Sequence, residues 1–353
     1  MEASNLTASQ AQNLSDPTAA SGLSLPYQQE FYLTIKILAP VLPVITCFGL
    51  CSNITNIVVF LKAGAKDNVT VLLLCLAISD LVFLILMTPS NFRFIILALV
   101  PSFSFAFHPF ILQSLFYWPA QTVYDLSAFI SVSLGVVRCA CVAMPLKFKL
   151  VFTKSRTVKW VMFLVIFAIL LRSPVLTIHR LSWVADPGSN VSSLTVVLVD
   201  RETMSRINDI LNRGFIVNMT YATMVTCVAI LFFKIRQAAK IRRSCTGKPL
   251  QASGKPSPQG LSTKDLQVVK SVVLVCTIFI LLQLPFLLLS IIRLVDPEVD
   301  NQKRLLFLFG IFGRVNATCS HVNASVNIFI YYNYNSKYRS VLKALISVKR
   351  TKQ

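Results

Sequence analysis

Seven long apolar stretches account for most of this chain, and each holds about 20 residues or more, enough to cross roughly 30 Å of hydrocarbon as a helix. The predicted helices cover residues 33–62, 69–97, 110–142, 155–179, 206–241, 264–294 and 302–332. With 55% hydrophobic and only 14% charged residues among 353, the chain has little room for a separate soluble domain. The sequence therefore predicts an all-α membrane protein, a seven-transmembrane helix bundle.

The net charge of +20 is distributed unevenly between the two sides of these helices. Basic residues concentrate in segments that follow alternate helices, at 62–67, 147–159, 234–270 and 337–352, where the only acids are Asp67 and Asp265. This is the positive-inside bias, which places the basic segments in the cytoplasm and the N-terminus outside. It accounts for the charge without a nucleic-acid partner and predicts a multi-pass protein of the plasma membrane.

The ends of the chain differ from its middle. Residues 1–32, rich in Ser and Ala, are predicted to be a disordered extracellular tail, and residues 33–332 the transmembrane domain. Residues 333–353 are predicted to form an amphipathic helix and a short cytoplasmic tail. Its apolar side would carry Tyr338, Leu342, Leu345 and Ile346, and its opposite side Lys337, Arg339, Lys343 and Lys349. Such a helix is expected to lie on the inner leaflet.

Two loops have compositions of their own. Between the fourth and fifth stretches, the turn signal Asp186-Pro187-Gly188 precedes a β-branched run at 195–199, which predicts a short hairpin over the outer mouth. Residues 245–263, rich in Pro, Gly and Ser, predict a flexible cytoplasmic linker. Sequons on the outer side predict a glycoprotein with N-linked sugars at Asn5, Asn13 and Asn190.

Polar residues occur inside the apolar stretches at positions that lipid anchoring does not require. The motifs are Leu76-Ala77-Ile78-Ser79-Asp80 in the second stretch, Arg138 at the end of the third, Phe279 with Pro285 in the sixth, and Asn327-Ile328-Phe329-Ile330-Tyr331 in the seventh. A carboxylate or guanidinium inside a bilayer is expensive and is retained mainly where it has a function. In this order and spacing, the motifs resemble those of the rhodopsin-like (class A) G protein-coupled receptors over residues 40–345. Segments 138–147 and 233–240 look like those of invertebrate chemosensory and peptide receptors, molluscan ones especially.

The resemblance implies a ligand-activated receptor that passes an extracellular chemical signal to a heterotrimeric G protein. An enzyme is not expected, because the three histidines are too scattered for a metal or triad site. Light sensing is not expected either, because His321 stands where a retinal protein needs a lysine. The alternative is a membrane transporter or channel, although no internal repeat supports an inverted-repeat transporter.

The resemblance supplies partners for Asp80, since a lone buried carboxylate would be protonated or excluded. The matching positions resemble the family's allosteric sodium pocket, whose oxygen ligands suit a hard cation, and here they are Asp80, Ser127, Asn323 and Asn327. The alternative is that these residues only hold the helices together. No other cofactor is expected. On the first helix, Asn53 matches an interhelical polar clamp.

For activation and G protein coupling, the resemblance implies roles for Arg138, Asp265, Phe279, Pro285 and Tyr331. In the family this arginine usually follows an acid, but Val137 precedes Arg138 here. Asp265 is therefore the expected partner that restrains Arg138; the alternative is that Asp265 only caps its own helix. Pro285 removes an intrahelical bond and provides a pivot.

Other family positions are altered in this chain. Gln283 replaces the aromatic switch before Pro285, and Ile328 replaces the proline of the seventh-helix motif. Gln113 stands where the family has the third-helix cysteine of the outer disulfide, and the second outer loop has no cysteine. No disulfide is therefore predicted.

The ligand is expected to carry an acidic group. Ala120 stands where amine receptors of the family have an Asp, and the deeper Asp125 is expected to pair with a neighbouring helix. Guanidinium groups suit carboxylates, and the outer helix ends carry Arg93, Arg172, Arg213, Arg293 and Arg314. Most of these are expected to reach for lipid headgroups. The predicted ligand is a peptide, such as a neuropeptide, or a small chemosensory acid, and its predicted contacts are Arg172, Arg314, His321, Gln283 and Tyr124.

Overall fold

The computed structural model describes residues 26–64, 67–100, 110–143, 148, 151–185, 192–245, 263–296, 298–300 and 303–350. The first helices are α1 (Gln28–Ala63), α2 (Asn68–Leu99), α3 (Phe110–Ala143) and α4 (Lys154–Ile178). The hairpin β1 (His179–Ala185) and β2 (Ser192–Leu198) follows. Helix α5 has three consecutive segments, Arg201–Asn208, the π-helical Asp209–Ile216 and Val217–Cys245. The chain then forms α6 (Thr263–Val295), α7 in two segments (Leu306–Ser325 and Asn327–Tyr334), and α8 (Ser336–Arg350).

The predicted helical membrane bundle is confirmed. Within the described ranges, six helices, α1 to α6, are long and apolar enough to cross a membrane by length and composition. Helix α7 is the seventh, and it is both more polar and interrupted at Val326. Helix α3 lies at the centre, where it contacts α2, α4, α5 and α6, and α7 closes the bundle between α1 and α6.

Local signals explain where several helices begin and end. Asp67 caps α2 by accepting the Thr70 amide at 2.9 Å, and Thr153 caps α4 by accepting the Arg156 amide at 3.4 Å. Gly64 ends α1 with a φ of 72°, a conformation that glycine adopts without steric cost.

Helix α1 begins at Gln28, earlier than the predicted start at residue 33. The first turn extends outward because Phe31 and Tyr32 pack on Phe307 of α7, with ring centroids 5.4 Å and 6.3 Å away. Gly310 permits this packing, since a Cβ there would lie 2.6 Å from Cε2 of Phe31. The helical part of the domain therefore begins inside what the sequence assigned to the tail.

The predicted hairpin between α4 and α5 is confirmed. Strands β1 and β2 pair antiparallel, with His179 opposite Leu198 and Ala185 opposite Ser192. The predicted turn at 186–188 and the sequon at Asn190 lie outside the described residues, as do Asn5, Asn13 and the predicted linker over 246–262.

Helix α8 is the predicted amphipathic helix. Asn335 caps it by accepting the Tyr338 amide at 3.0 Å, and the Tyr338 hydroxyl donates to Oδ1 of Asn56 in α1 at 2.7 Å. Burial raises the pKa of Tyr338 to about 12, so this hydroxyl keeps its proton at neutral pH. Leu342 and Leu345 pack against the hydrophobic core that contains Tyr338, while Ile346 is exposed on the helix surface.

Candidate functional site

A buried polar centre joins the inner halves of α2, α3 and α7. Asp80 of α2 is only 1% exposed, and its carboxylate accepts two hydrogen bonds from neighbouring helices. The Ser127 hydroxyl donates to Oδ1 at 2.6 Å, and the Asn327 amide donates to Oδ2 at 2.9 Å. Three of the four residues predicted for a sodium pocket therefore lie together, and each carboxylate oxygen has a partner.

The fourth predicted residue, Asn323, lies beside a different side chain. Asn323 and Ser320 of α7 are next to the hydroxyl of Tyr124, whose ring packs on Phe83 with centroids 4.9 Å apart. Asn323 lies one helical turn before Asn327, which separates it from the Asp80 carboxylate contacts. Tyr124 is 5% exposed and belongs to this inner layer.

The interruption of α7 is held by α1. Asn53 donates to the Ala324 carbonyl at 2.7 Å, and Ser52 donates to the Ser325 carbonyl at 3.0 Å. Carbonyls at a helix break lose their intrahelical partners, and these side chains replace them. Gly49 allows the close approach, since a Cβ there would run into the Ser325 side chain. The predicted clamp role of Asn53 is confirmed.

An ion pair lies further outward, between α3 and α4. Arg172 Nε is 2.5 Å from Oδ2 of Asp125, and Arg172 Nη2 donates to Oδ1 at 3.0 Å. The expectation that Asp125 pairs with a neighbouring helix is confirmed. Arg172 is only 6% exposed, so its guanidinium is engaged by protein. This differs from the sequence expectation of an open ligand contact, because Asp125 supplies the bidentate partner that a carboxylate ligand would otherwise provide.

Two amide side chains of α5 reach this ion pair, Asn208 at the end of its first segment and Asn212 in its π-helical segment. Asn208 accepts a hydrogen bond from Arg172 Nη1 at 3.4 Å, and Asn212 donates to Asn208 at 2.8 Å. Asn212 also reaches the Leu171 carbonyl at 3.4 Å. The polar cluster thus ties α3, α4 and α5 together, and the wider turn of a π-helix is often found at functional sites.

Arg314 of α7 lies on the other side of the same region. Tyr117 of α3 is within electrostatic range of Arg172, Arg314 and Asp125. Two guanidinium groups and the Asp125 carboxylate therefore lie around Tyr117, and Asp209 of α5 also acts on Arg172. Guanidinium groups suit carboxylates and other anions.

His321 lies inside the bundle and not on an open cavity wall. The ring is 0% exposed, Nδ1 is 2.6 Å from the Ala317 carbonyl, and Nε2 is 2.9 Å from the Asn91 amide nitrogen. Nδ1 therefore carries the proton, and Nε2 accepts from Asn91. This differs from the predicted ligand contact because both ring nitrogens are occupied by protein. Gln283 of α6 is partly buried.

The predicted activation residues lie in the inner half of the bundle. Phe279 is 3% exposed and packs with Met224 and Cys276, while Tyr331 is 2% exposed and packs on Phe60 with centroids 5.2 Å apart. Pro285 lines an apolar cavity of about 290 Å³ between α6 and α7. Arg138 is partly buried at the end of α3. The side chain of Asp265 lies outside the described residues, so its pairing with Arg138 stays a prediction.

Two of the outer arginines are paired with acids. Arg293 of α6 is 3.1 Å from Asp209 and 2.5 Å from Asp300, and Arg213 is 3.3 Å from Asp209. These contacts differ from the expectation that such arginines reach for lipid headgroups. The side chain of Arg93 lies outside the described residues.

The sequence did not predict the contacts of four amide side chains, which belong to Asn56, Asn91, Asn208 and Asn212. Asn91, the partner of His321, stands in no family motif, and the Tyr338–Asn56 bond joins distant segments. Asn208 and Asn212 had a usable signal, because residues four apart lie on one helix face.

A comparison with protein families gives one match. The model of the family described as serpentine type 7TM GPCR chemoreceptor Srw matches residues 40–349, from the outer part of α1 to the last turn of α8. No curated protein matches the chain.

Proposed function

This chain belongs to the Srw family of serpentine seven-transmembrane chemoreceptors, and we propose that it is a plasma-membrane receptor that couples an extracellular ligand to a heterotrimeric G protein. The resemblance to G protein-coupled receptors is thereby confirmed, and the family is one of chemoreceptors and not of enzymes. The finer resemblance to class A and molluscan receptors is a prediction that the family match does not address. In the proposed orientation the N-terminus is extracellular and carries the sugars on Asn5, Asn13 and Asn190.

The buried centre at Asp80 is the observation that carries the proposal. A carboxylate between α2, α3 and α7 has hydrogen-bond donors from two helices, and the break in α7 lies next to it. A charge in this position needs partners, so the relative positions of the three helices depend on which groups bind the carboxylate. We propose that a sodium ion held by Asp80, Ser127 and Asn327, with the predicted fourth residue Asn323 one helical turn away, stabilises one arrangement and that agonist favours another.

The inner ends of α3 and α6 form the proposed coupling face. Phe279 packs against α3 and α5, and Pro285 follows it in α6, toward the outer end of the helix. Pro285 provides the pivot about which the inner half of α6 swings, which opens the face around Arg138. Tyr331 then moves to support Arg138, and Asp265 restrains it in the closed arrangement.

The proposed ligand carries an acidic group, as a peptide carboxylate or a small chemosensory acid. Support comes from Arg172 and Arg314, which lie with the Asp125 carboxylate around Tyr117. Arg314, on the α7 side of Tyr117, is proposed as the main anion contact. Gln283, Tyr124 and His321 are proposed to affect ligand binding indirectly, because they pack on the inner side of the proposed ligand site.

Ligand charge is tested by comparing an acid with its amide. Purified receptor is screened against peptide and small-acid libraries, with guanine-nucleotide exchange on a G protein as the readout. Arg314→Gln should reduce potency for an acidic hit by about tenfold or more, and potency for its amide analogue far less, because one charge-assisted contact is worth about 1.5–3 kcal/mol. Arg213→Gln is the control, since Arg213 pairs with Asp209 at the outer end of α5. Equal losses of potency for the acid and the amide would show that Arg314 does not recognise the charge of the ligand.

A further inference from the structure

Three cysteines from three helices meet in the inner half of the bundle: Cys139 of α3, Cys227 of α5 and Cys276 of α6. The space for them comes from Gly135 on α3. A Cβ on Gly135 would lie 3.3 Å from the Cβ of Cys227, and 3.6 Å from the Sγ atoms of both Cys227 and Cys276. The thiols of α5 and α6 therefore approach the same point on α3, where a glycine leaves room for them.

Cys139 and Cys227 are in direct contact. The Cys139 thiol donates to the Cys227 backbone carbonyl oxygen at 3.5 Å, which places the two residues side by side. Accessibility differs among the three, since Cys227 is 5% exposed and Cys276 0% exposed, whereas Cys139 is partly exposed at the cytoplasmic end of α3. An oxidant arriving from the cytoplasm would thus meet Cys139 first, with Cys227 beside it.

The contact lies at the proposed coupling face. Cys139 follows Arg138 directly in the chain, and Cys276 belongs to the cluster in which Phe279 and Met224 close α6 against α3 and α5. The thiols have no part in the polar centre at Asp80 or in the proposed ligand site. A bond between α3 and α5 at this level would join two of the three helices that must separate for a G protein to enter.

We propose that Cys139 and Cys227 form a reversible disulfide that holds the receptor in its closed arrangement when the cytoplasm becomes oxidising. The effect on signalling rests on the proposed function, whereas the bond itself does not.

The chemistry needs a hydroperoxide as oxidant. The Cys139 sulfur attacks the peroxide oxygen, which gives a sulfenic acid and releases water or an alcohol. The Cys227 thiol then attacks that sulfur, forming the S–S bond and releasing water. A cytosolic thiol such as glutathione reverses the bond by exchange, so the cross-link would be transient in a reducing compartment. A bond formed in one arrangement shifts the population toward that arrangement.

The first test maps the bond without using receptor activity. Purified receptor is treated with hydrogen peroxide, free thiols are alkylated, and non-reduced proteolytic peptides are identified by mass spectrometry. We expect a bridged peptide joining Cys139 and Cys227 that dithiothreitol cleaves, and its loss in Cys139→Ser and Cys227→Ser. Cys141→Ser is the control, because Cys141 is also partly exposed near the end of α3 and should leave the bridge intact. A bridge to Cys141 or Cys276 instead, or Cys139 oxidised without a bridge, would overturn the proposal.

The second test measures the consequence. In wild type and in Cys141→Ser, peroxide should lower ligand-independent nucleotide exchange at least about fivefold, and dithiothreitol should restore it. Fivefold is the low end of the usual coupling between two sites in a protein. Cys139→Ser should be insensitive. A mapped bridge with unchanged exchange would overturn the regulatory role. If reduced wild type stimulates no exchange at all, the proposed function fails, and the peptide map still decides whether the bond forms.

Discussion

At the scale of single residues, buried charge determines much of what this receptor can do. Asp80 and Asp125 both lie on helices in the bundle, yet they are satisfied differently. Asp80 has two neutral donors, Ser127 and Asn327, so a bound cation would supply the counter-charge that these donors lack. Asp125 has the full charge of Arg172. The two carboxylates should therefore respond differently to mutation and to ions.

Replacement of Asp80 by Asn should abolish stabilisation by sodium. A ligand that binds the folded state at about ten times its Kd raises stability by about 1.4 kcal/mol, which corresponds to an increase of a few degrees in Tm. Wild-type receptor should therefore melt higher in sodium chloride than in potassium chloride, and Asp80→Asn should show no difference. Ser79→Ala, which removes a buried hydroxyl bonded only to the Leu76 carbonyl, should keep the sodium effect. Equal sodium effects in wild type and Asp80→Asn would show that this pocket holds no sodium.

The Asp125–Arg172 pair should be costly to break from one side. Asp125→Asn leaves a buried guanidinium without its counter-charge, a loss of about 3–5 kcal/mol, and should lower the unfolding midpoint markedly. The double variant with Arg172→Gln should recover part of the loss. Arg213→Gln removes a partly exposed pair with Asp209 and should cost about 1 kcal/mol at most. Thermal unfolding in detergent measures all three, and a double variant no more stable than Asp125→Asn would contradict the account.

Residue motifs were easier to predict from the sequence than their partners. The family resemblance supplied the positions of Asp80, Ser127 and Asn327, and the structure brings these side chains together. The same resemblance did not predict the partners of Asn323 and His321, because which face of α7 meets α2 or α3 depends on the tilt and rotation of packed helices. Sequence periodicity carries no information on those angles.

At the scale of elements, α7 departs most from a regular helix. It breaks at Val326, although Ile328 replaces the proline that would explain a break locally. The cause is tertiary, since Ser52 and Asn53 of α1 take up the carbonyls of Ser325 and Ala324. The π-helical segment of α5 is similar: it contains Gly214 but no proline, and Asn208 and Asn212 tie its first turn to α4. Such features depend on neighbours and could not be read from one segment alone.

Asn53→Ala should loosen the α7 break. The Ala324 carbonyl would lose its donor inside the membrane, at a cost of about 1–3 kcal/mol, so amides around Val326 should exchange with solvent deuterium faster. Thr55→Ala is the control, because its exposed hydroxyl bonds only to the Cys51 carbonyl of its own helix. If both variants leave exchange around Val326 unchanged, α1 does not hold the break.

At the scale of the whole molecule, composition and charge distribution were sufficient for the architecture. The seven helices, the outer hairpin and α8 all follow from hydropathy, turn residues and amphipathic spacing. The packed arrangement adds what these patterns lack: α6 closes against α3 and α5 at the inner side, where Phe279 and Cys276 meet α3. Val137 precedes Arg138 where the resembling receptors have an acid, so we expect this closed arrangement to lack one restraint.

Ligand-independent nucleotide exchange on a panel of heterotrimeric G proteins, with the receptor reconstituted in vesicles, tests the central claim most directly. Wild type should accelerate exchange above receptor-free vesicles, and Arg138→Ala should abolish the acceleration. Val137→Asp should lower it by up to about tenfold, since about 1.4 kcal/mol of added restraint shifts the active fraction by that factor. The opposite result would be no acceleration with any G protein, together with a receptor-dependent flux of ions or solutes across the same vesicles. That outcome would identify a transporter or channel and contradict the account.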